Sequence, residues 1–115
     1  MTSVTLYHNP RCSKSRQTLA LLEENDIDFN TIEYLKKPLN ADQIKAVAAN
    51  LGVTVRDITR TGETEYLEQP LDDASDDQLA EAIEAMPILM QRPILVNGDA
   101  ARIGRPPESV LEILG

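Results

Sequence analysis

The chain has 115 residues, 42% of them apolar, and a formal net charge of −8. That length supports one domain with one core. The acidic balance argues against general nucleic-acid binding or an anionic membrane surface, and no apolar run approaches the roughly 20 residues of a membrane span. Three Tyr and one Phe are the only aromatics, so the core is expected to be aliphatic.

Taken in chain order, Ser3–His8 reads as a strand. A helix from Ser15 to Glu24 turns Thr18, Leu19 and Leu22 inward and stops at the turn pair Asn25-Asp26. Phe29–Tyr34 alternates and reads as a second strand, so the first two strands should be parallel across a βαβ unit. After Lys37-Pro38-Leu39, Asn40 and Gln43 make a capping-box pair that opens a helix with Ile44, Val47, Ala48 and Leu51 on one face. Gly52 is a suitable stop. Val55–Arg60 suits a short helix, and Thr61–Leu71 a loop or broken helical stretch. Ser75 and Gln78 form a second capping box, leading a helix through Met86 with Leu79, Ile83 and Met86 as its apolar stripe, ended by Pro87.

Ile94–Val96 is a short apolar strand, Asn97-Gly98 a strong hairpin signal, and Ala100–Ile103 the antiparallel return. Pro106 or Pro107 suits the first turn of a last helix, with Val110, Leu111 and Leu114 facing the core. A βαβ unit followed by ββα predicts an α/β domain over residues 1–115. Its sheet is mixed and four-stranded, in the thioredoxin-like (glutaredoxin-like) layout, with a helical insertion at about 39–87 between the halves.

The charge is uneven. From Thr61 to Gln91 there is no Lys or Arg but nine acids, which reads as a solvated helix face and a polar loop. The arginines stand elsewhere, at 11, 16, 56, 60, 92, 102 and 105, so an acidic chain can still hold a local anion site.

Cys12 is the only cysteine, so it forms no internal disulfide. A lone thiol fits a reducing compartment, and Met1-Thr2-Ser3 leads directly into the first strand; a cytoplasmic protein is expected. A single cysteine is most often inert and buried, but this one sits at a strand-to-helix turn. Free N–H groups and a positive partial charge gather there. Arg11, Lys14 and Arg16 are close in sequence. Such surroundings lower a thiol pKa below about 8.5. Ser15 offers the sulfur a hydroxyl or an N–H. His8, the only histidine, closes the strand end or adjusts the local field. One Cys and one His do not make a metal shell, so no metal is expected. Arg60, Arg92 and Arg105 lie in segments that can converge on the Cys12 loop, and guanidinium forks suit a tetrahedral oxyanion.

The segment His8-Asn9-Pro10-Arg11-Cys12-Ser13-Lys14-Ser15-Arg16 resembles the glutaredoxin-coupled arsenate reductase family, ArsC. So do Val55–Arg60, the run Pro87–Ile94 and the run Arg102–Glu108, in the same order and spacing over essentially the whole chain. The resemblance implies a thioredoxin-like fold with Pro93 as a cis-proline facing the thiol loop. It implies Cys12 as nucleophile, Arg60, Arg92 and Arg105 as oxyanion ligands, and His8 and Ser15 as supports of the thiolate, to which the nearby charge of Arg16 adds. The best-known members carry Gly-Thr after the cysteine; here Ser13-Lys14 stands there, and this version resembles a YfgD-like branch. The implied reaction is reduction of arsenate to arsenite through a Cys12 thiol–arsenate adduct. No cofactor is bound, and glutathione is the reducing co-substrate. Arsenate or a similar oxyanion, glutathione and glutaredoxin are the expected partners, without nucleic acid or membrane.

Two other readings stay open at this level. A glutathione-linked oxidoreductase could act on another oxyanion or on a mixed disulfide. An Spx-like regulator, which binds RNA polymerase, often carries Cys-x-x-Cys, where this chain has Ser15 at the second position.

Overall fold

The computed structural model describes residues 4–69 and 71–114; Ser3, expected in the first strand, lies outside them. The chain divides into two units, residues 1–37 with 92–115, and residues 38–91.

In the first unit, β1 (Val4–His8) alternates buried Val4, Leu6 and His8 with half-buried Thr5 and Tyr7, as a strand packed on one face must. α1 (Ser13–Glu24) starts two residues earlier than the sequence suggests and buries Ser15, Thr18 and Leu22. It ends where Asp26 adopts a left-handed φ of 55°, a conformation a short polar side chain tolerates. β2 (Asn30–Glu33) runs parallel to β1, while β3 (Ile94–Asn97) and β4 (Ala100–Ile103) complete the sheet in the order β2-β1-β3-β4 among the described residues. β1 with β3 and β3 with β4 are antiparallel. The mixed four-stranded α/β sheet of the thioredoxin-like layout is therefore present.

The hairpin turn is set one residue later than Asn97-Gly98 implies. Asn97 still pairs with Ala100, so Gly98-Asp99 make the turn. Gly98 takes φ +61° at the first turn position, the place where a two-residue hairpin of the II′ kind requires glycine. Asn97 uses its side chain instead to donate to the Ile113 carbonyl at 2.7 Å, tying the hairpin to the C-terminal segment.

That segment, Pro107–Ile113, is a 3-10 helix rather than an α-helix. The tighter three-residue period changes which side chains face inward. Val110 is fully buried, and Ile113 and Leu114 pack with it on Val4, Leu6, Leu22 and Leu95; Leu111, expected at the core, is only half-buried and outside this cluster.

In the second unit, α2 (Ala41–Leu51) and α4 (Asp76–Ala85) each carry the full reciprocal capping box, at Asn40/Gln43 and Ser75/Gln78. Their buried faces are Ile44, Val47 and Ala48, and Leu79, Ala80 and Ile83. Lys45 bonds Asp77 at 3.0 Å and the Ala41 N–H donates to Glu84 at 2.6 Å, so part of the acidic run serves to join these two helices. Met86 falls just beyond α4 and is 40% exposed, because Pro87 opens a separate 3-10 turn. A short α3 (Thr64–Leu67) lies within the stretch expected as a loop or broken helix. Arg56 donates to the Tyr66 hydroxyl and to the Leu71 and Ala74 carbonyls, which fixes that loop to the 3-10 turn Arg56–Ile58.

Gly104 is the described glycine that leaves no room for a side chain. A Cβ there would stand 2.5 Å from Thr18 Oγ1 and 2.8 Å from Pro93 Cγ. Thr18 is held by its own bond to the Lys14 carbonyl and cannot swing aside without losing it. Gly104→Ala should therefore destabilise the protein by about 1–3 kcal/mol through overpacking, read as a lower urea midpoint; an unchanged midpoint would contradict the packing described.

Candidate active site

Cys12 is the residue that leads α1, with φ −91° and ψ 124°. Its N–H donates to the Asn9 carbonyl and its carbonyl accepts the Arg16 N–H, both at 3.0 Å, so the thiol is fixed to the first helical turn. Only 8% of the residue is exposed. Burial by itself pushes the thiol pKa up. It is outweighed by the Ser15 N–H pointing at the sulfur, the charge of Arg92, the Lys14 N–H and a hydrogen bond from the Arg92 side chain. The thiol ends below its ordinary range.

The sheet register explains how the arginines arrive. Ile94 and Ile103 are Cα partners across the hairpin. Arg92 lies two residues before the first and Arg105 two after the second, so both project from the same end of the β3–β4 pair. Arg105 Nε donates to the Arg92 carbonyl at 2.8 Å, which directs Nη2 to 3.6 Å from Cys12 Sγ. The Arg92–Pro93 bond is cis, as is Arg105–Pro106. Pro93 is buried, and its carbonyl accepts the Gly104 N–H at 2.9 Å.

Ser15 is fully buried and organises the loop before the cysteine. Its hydroxyl shares a 2.6 Å hydrogen bond with His8 Nδ1 and accepts the Asn9 N–H at 2.9 Å. The hydroxyl thus serves the loop, while the Ser15 backbone N–H serves the sulfur. Burial lowers the His8 pKa, with Arg16 acting in the same direction against Glu33, so the imidazole is neutral near pH 7. Arg16, expected to support the thiolate, donates to the Pro10 carbonyl at 2.9 Å, a contact with the loop backbone. Arg60 belongs to the second unit, where its guanidinium pairs with Glu63 at 2.9 Å and its N–H donates to the Leu89 carbonyl. Among the described residues no group of three His, Cys, Asp or Glu side chains is placed to hold a metal ion, and no helix is long and apolar enough to cross a membrane.

A lone thiol at a helix start, two arginines brought to it by one hairpin and a cis-proline between them match a known pattern, and residues 7–113 match the ArsC family over that whole span. The chain belongs to the ArsC family. A relative from Haemophilus influenzae named arsenate reductase is 48% identical over 115 residues, covering 97% of this chain and 99% of its own. The YfgD protein of Escherichia coli K12 is 46% identical, covering 97% of each chain. The solved structure of an arsenate reductase from Vibrio cholerae superposes with a TM-score of 0.93 at 47% identity, over 97% of this chain and 98% of that one.

Two residues of this ArsC site escaped the sequence reading. Asn9 is 3% exposed; its side chain accepts the Arg11 N–H at 3.0 Å, while its backbone binds Ser15 and Cys12. An Asn-Pro pair at a strand end is the available signal, since Asn caps its own turn. Tyr34, one residue past β2, is fully buried. Burial raises its phenol pKa to about 12, although Arg92, the Asn9 side chain and Arg105 pull it down, with Cys12 pushing the other way. Nothing local in the sequence distinguishes this tyrosine from an ordinary core aromatic.

The Cys12 pKa is testable through thiolate-dependent alkylation against pH. Half-maximal rate should fall below about 8.5, and Arg92→Ala should move it upward, because one cation that favours the thiolate is gone. A profile unmoved by Arg92→Ala would show that the arginine does not act on the sulfur.

Proposed function

We propose that the protein is an arsenate reductase in which Cys12 is the nucleophile and Arg92 and Arg105 hold the oxyanion. The observation that carries this reading is Arg105 Nη2 at 3.6 Å from a sulfur whose pKa is lowered. A thiolate attacking an anion meets like-charge repulsion, and fixed cations beside the reacting atoms are the means of offsetting it. A binding role for Arg60 rests on the family resemblance.

The first step joins the Cys12 thiolate, dihydrogen arsenate and one proton. A sulfur–arsenic bond forms, an arsenic–oxygen bond breaks, and the oxygen leaves as water, giving a monoanionic thiol–arsenate adduct. Cys12 has no internal partner, so an outside thiol must supply the electrons. Glutathione fits that role: two glutathione molecules deliver two electrons, arsenic(V) becomes arsenic(III), and the sulfurs leave as a disulfide after glutaredoxin resolves the mixed disulfide on Cys12. That chemistry suits the cytoplasm, where thiols are kept reduced.

The Ser13-Lys14 departure from Gly-Thr does not argue against this chemistry. Both side chains are exposed at the start of α1, and Lys14 reaches the sulfur through its backbone N–H. A main-chain donor is available whatever side chain the position carries.

Purified protein supplied with arsenate, glutathione, glutaredoxin and an NADPH-coupled glutathione reductase should oxidise NADPH in proportion to arsenate. Cys12→Ser should abolish this. Arg92→Ala and Arg105→Ala should weaken arsenate use by about tenfold or more each, the scale of a lost charge-assisted hydrogen bond. NADPH oxidation no faster than in the Cys12→Ser protein would remove the arsenate reading.

A further inference from the structure

Tyr34 holds a polar group that the reaction just described does not use. The residue is fully buried, and its hydroxyl has no hydrogen-bond partner among the described residues. Buried polar groups are normally satisfied, and each exception calls for a reason. The Asn9 side chain lies close enough to act on the phenol oxygen as a donor, but it completes no hydrogen bond of normal geometry and gives the hydroxyl proton no acceptor.

The location supplies the reason. Glu33 is the Cα partner of His8 in the parallel β1–β2 pair, so Tyr34, the next residue, comes alongside the Asn9 end of the thiol loop. The charged groups that act on its hydroxyl are Arg92, Cys12 and Arg105, the nucleophile and the two arginines beside it. Two cations beside a sulfur attract an anion, and a phenol among them whose hydroxyl lacks a partner offers that anion a neutral donor.

We propose that Tyr34 is an oxyanion-binding residue: its hydroxyl donates a hydrogen bond to an oxygen of the anion held by Arg92 and Arg105, and this partner satisfies the hydroxyl only in the bound state. The inference rests on the reading of the Cys12 site as an oxyanion site. A phenol held well above neutrality keeps its proton and so remains a donor. It adds a directed contact without adding charge, and thus without further lowering the thiol's nucleophilicity as a third cation would.

Tyr34→Phe isolates the hydroxyl while keeping the ring in the core. Removing an unsatisfied polar group should leave the melting temperature unchanged or raised. Anion affinity is read as protection of Cys12 from iodoacetamide by arsenate, with phosphate and sulfate in parallel. The variant should need about ten- to hundredfold more anion for equal protection, with the pH profile of alkylation in the absence of anion unchanged. Equal protection of the two proteins would overturn the proposal. So would a lowered melting temperature, which would mark a structural hydrogen bond. An upward shift of the alkylation profile with anion affinity kept would assign the hydroxyl to the sulfur instead, and absence of protection in the unsubstituted protein would remove the site itself. Protection that differs between the two proteins without NADPH-coupled arsenate turnover would support Tyr34 as an anion ligand and remove only arsenate as the substrate.

Discussion

A cysteine that is 8% exposed and yet inclined to ionise is the constraint on which the first unit depends. Taking a charge out of water is costly, and an isolated buried thiol answers by staying protonated. Here the opposing contributions come from two directions. Ser15 and Lys14 present N–H groups from the open end of α1, where the helix carries about half a positive charge. Arg92 and Arg105 come from the hairpin. Of the two, Arg92 acts more strongly on the thiol: it is half-buried, whereas Arg105 is exposed and water screens its charge. Arg105 contributes position, since its bond to the Arg92 carbonyl ties the two guanidinium-bearing segments together.

The loop between β1 and α1 has to hold its shape while the sulfur changes charge and bonding. Ser15 accomplishes this with one hydroxyl, which binds the ring of His8 and the N–H of Asn9. All three residues are buried, so water does not compete for these bonds. A neutral His8 suits this position, since an imidazolium packed there would be a buried charge close to Arg16. The sulfur is therefore set by backbone groups, and the backbone by a short side-chain network that carries no net charge.

Much of this was legible in the sequence because it is local. Both capping boxes, the Gly52 stop and the placement of Cys12 at a strand-to-helix turn follow from spacings of three or four residues. The convergence of Arg92 and Arg105 is one level higher: it needs a hairpin, and once Gly98 fixes the turn, the pairing of Ile94 with Ile103 brings both arginines to one end. What local rules could not give depends on tertiary packing. The C-terminal 3-10 helix exchanges Leu111 for Ile113 at the core through its three-residue period, and the Asn97 side chain holds the Ile113 carbonyl. Arg16 looked like a neighbour of the thiol by sequence distance, but its guanidinium turns to the Pro10 carbonyl. Tyr34 was invisible as a site residue because its significance arises from the β1–β2 register, which sets it beside Asn9.

The same register argument unifies the site. β1 runs parallel to β2 and antiparallel to β3, and β3 antiparallel to β4. The C-terminal ends of β1, β2 and β4 and the N-terminal end of β3 consequently meet at one edge of the sheet. Each of those four ends delivers one part: Cys12 after β1, Tyr34 after β2, Arg92 before β3 and Arg105 after β4. No strand carries two of them, so the spacing of the parts is set by the strand-to-strand distance of about 4.8 Å and by the loop lengths. Gly104 and Pro93 matter for this reason although neither bears a reactive group. Their backbone bond holds the chain next to both arginines, and the contact with Thr18 ties that edge to the helix that begins at Cys12. A change at Ser13 or Lys14 alters side chains that point outward and leaves this edge intact, whereas a Cβ at Gly104 would press on Thr18 and Pro93, within the edge itself.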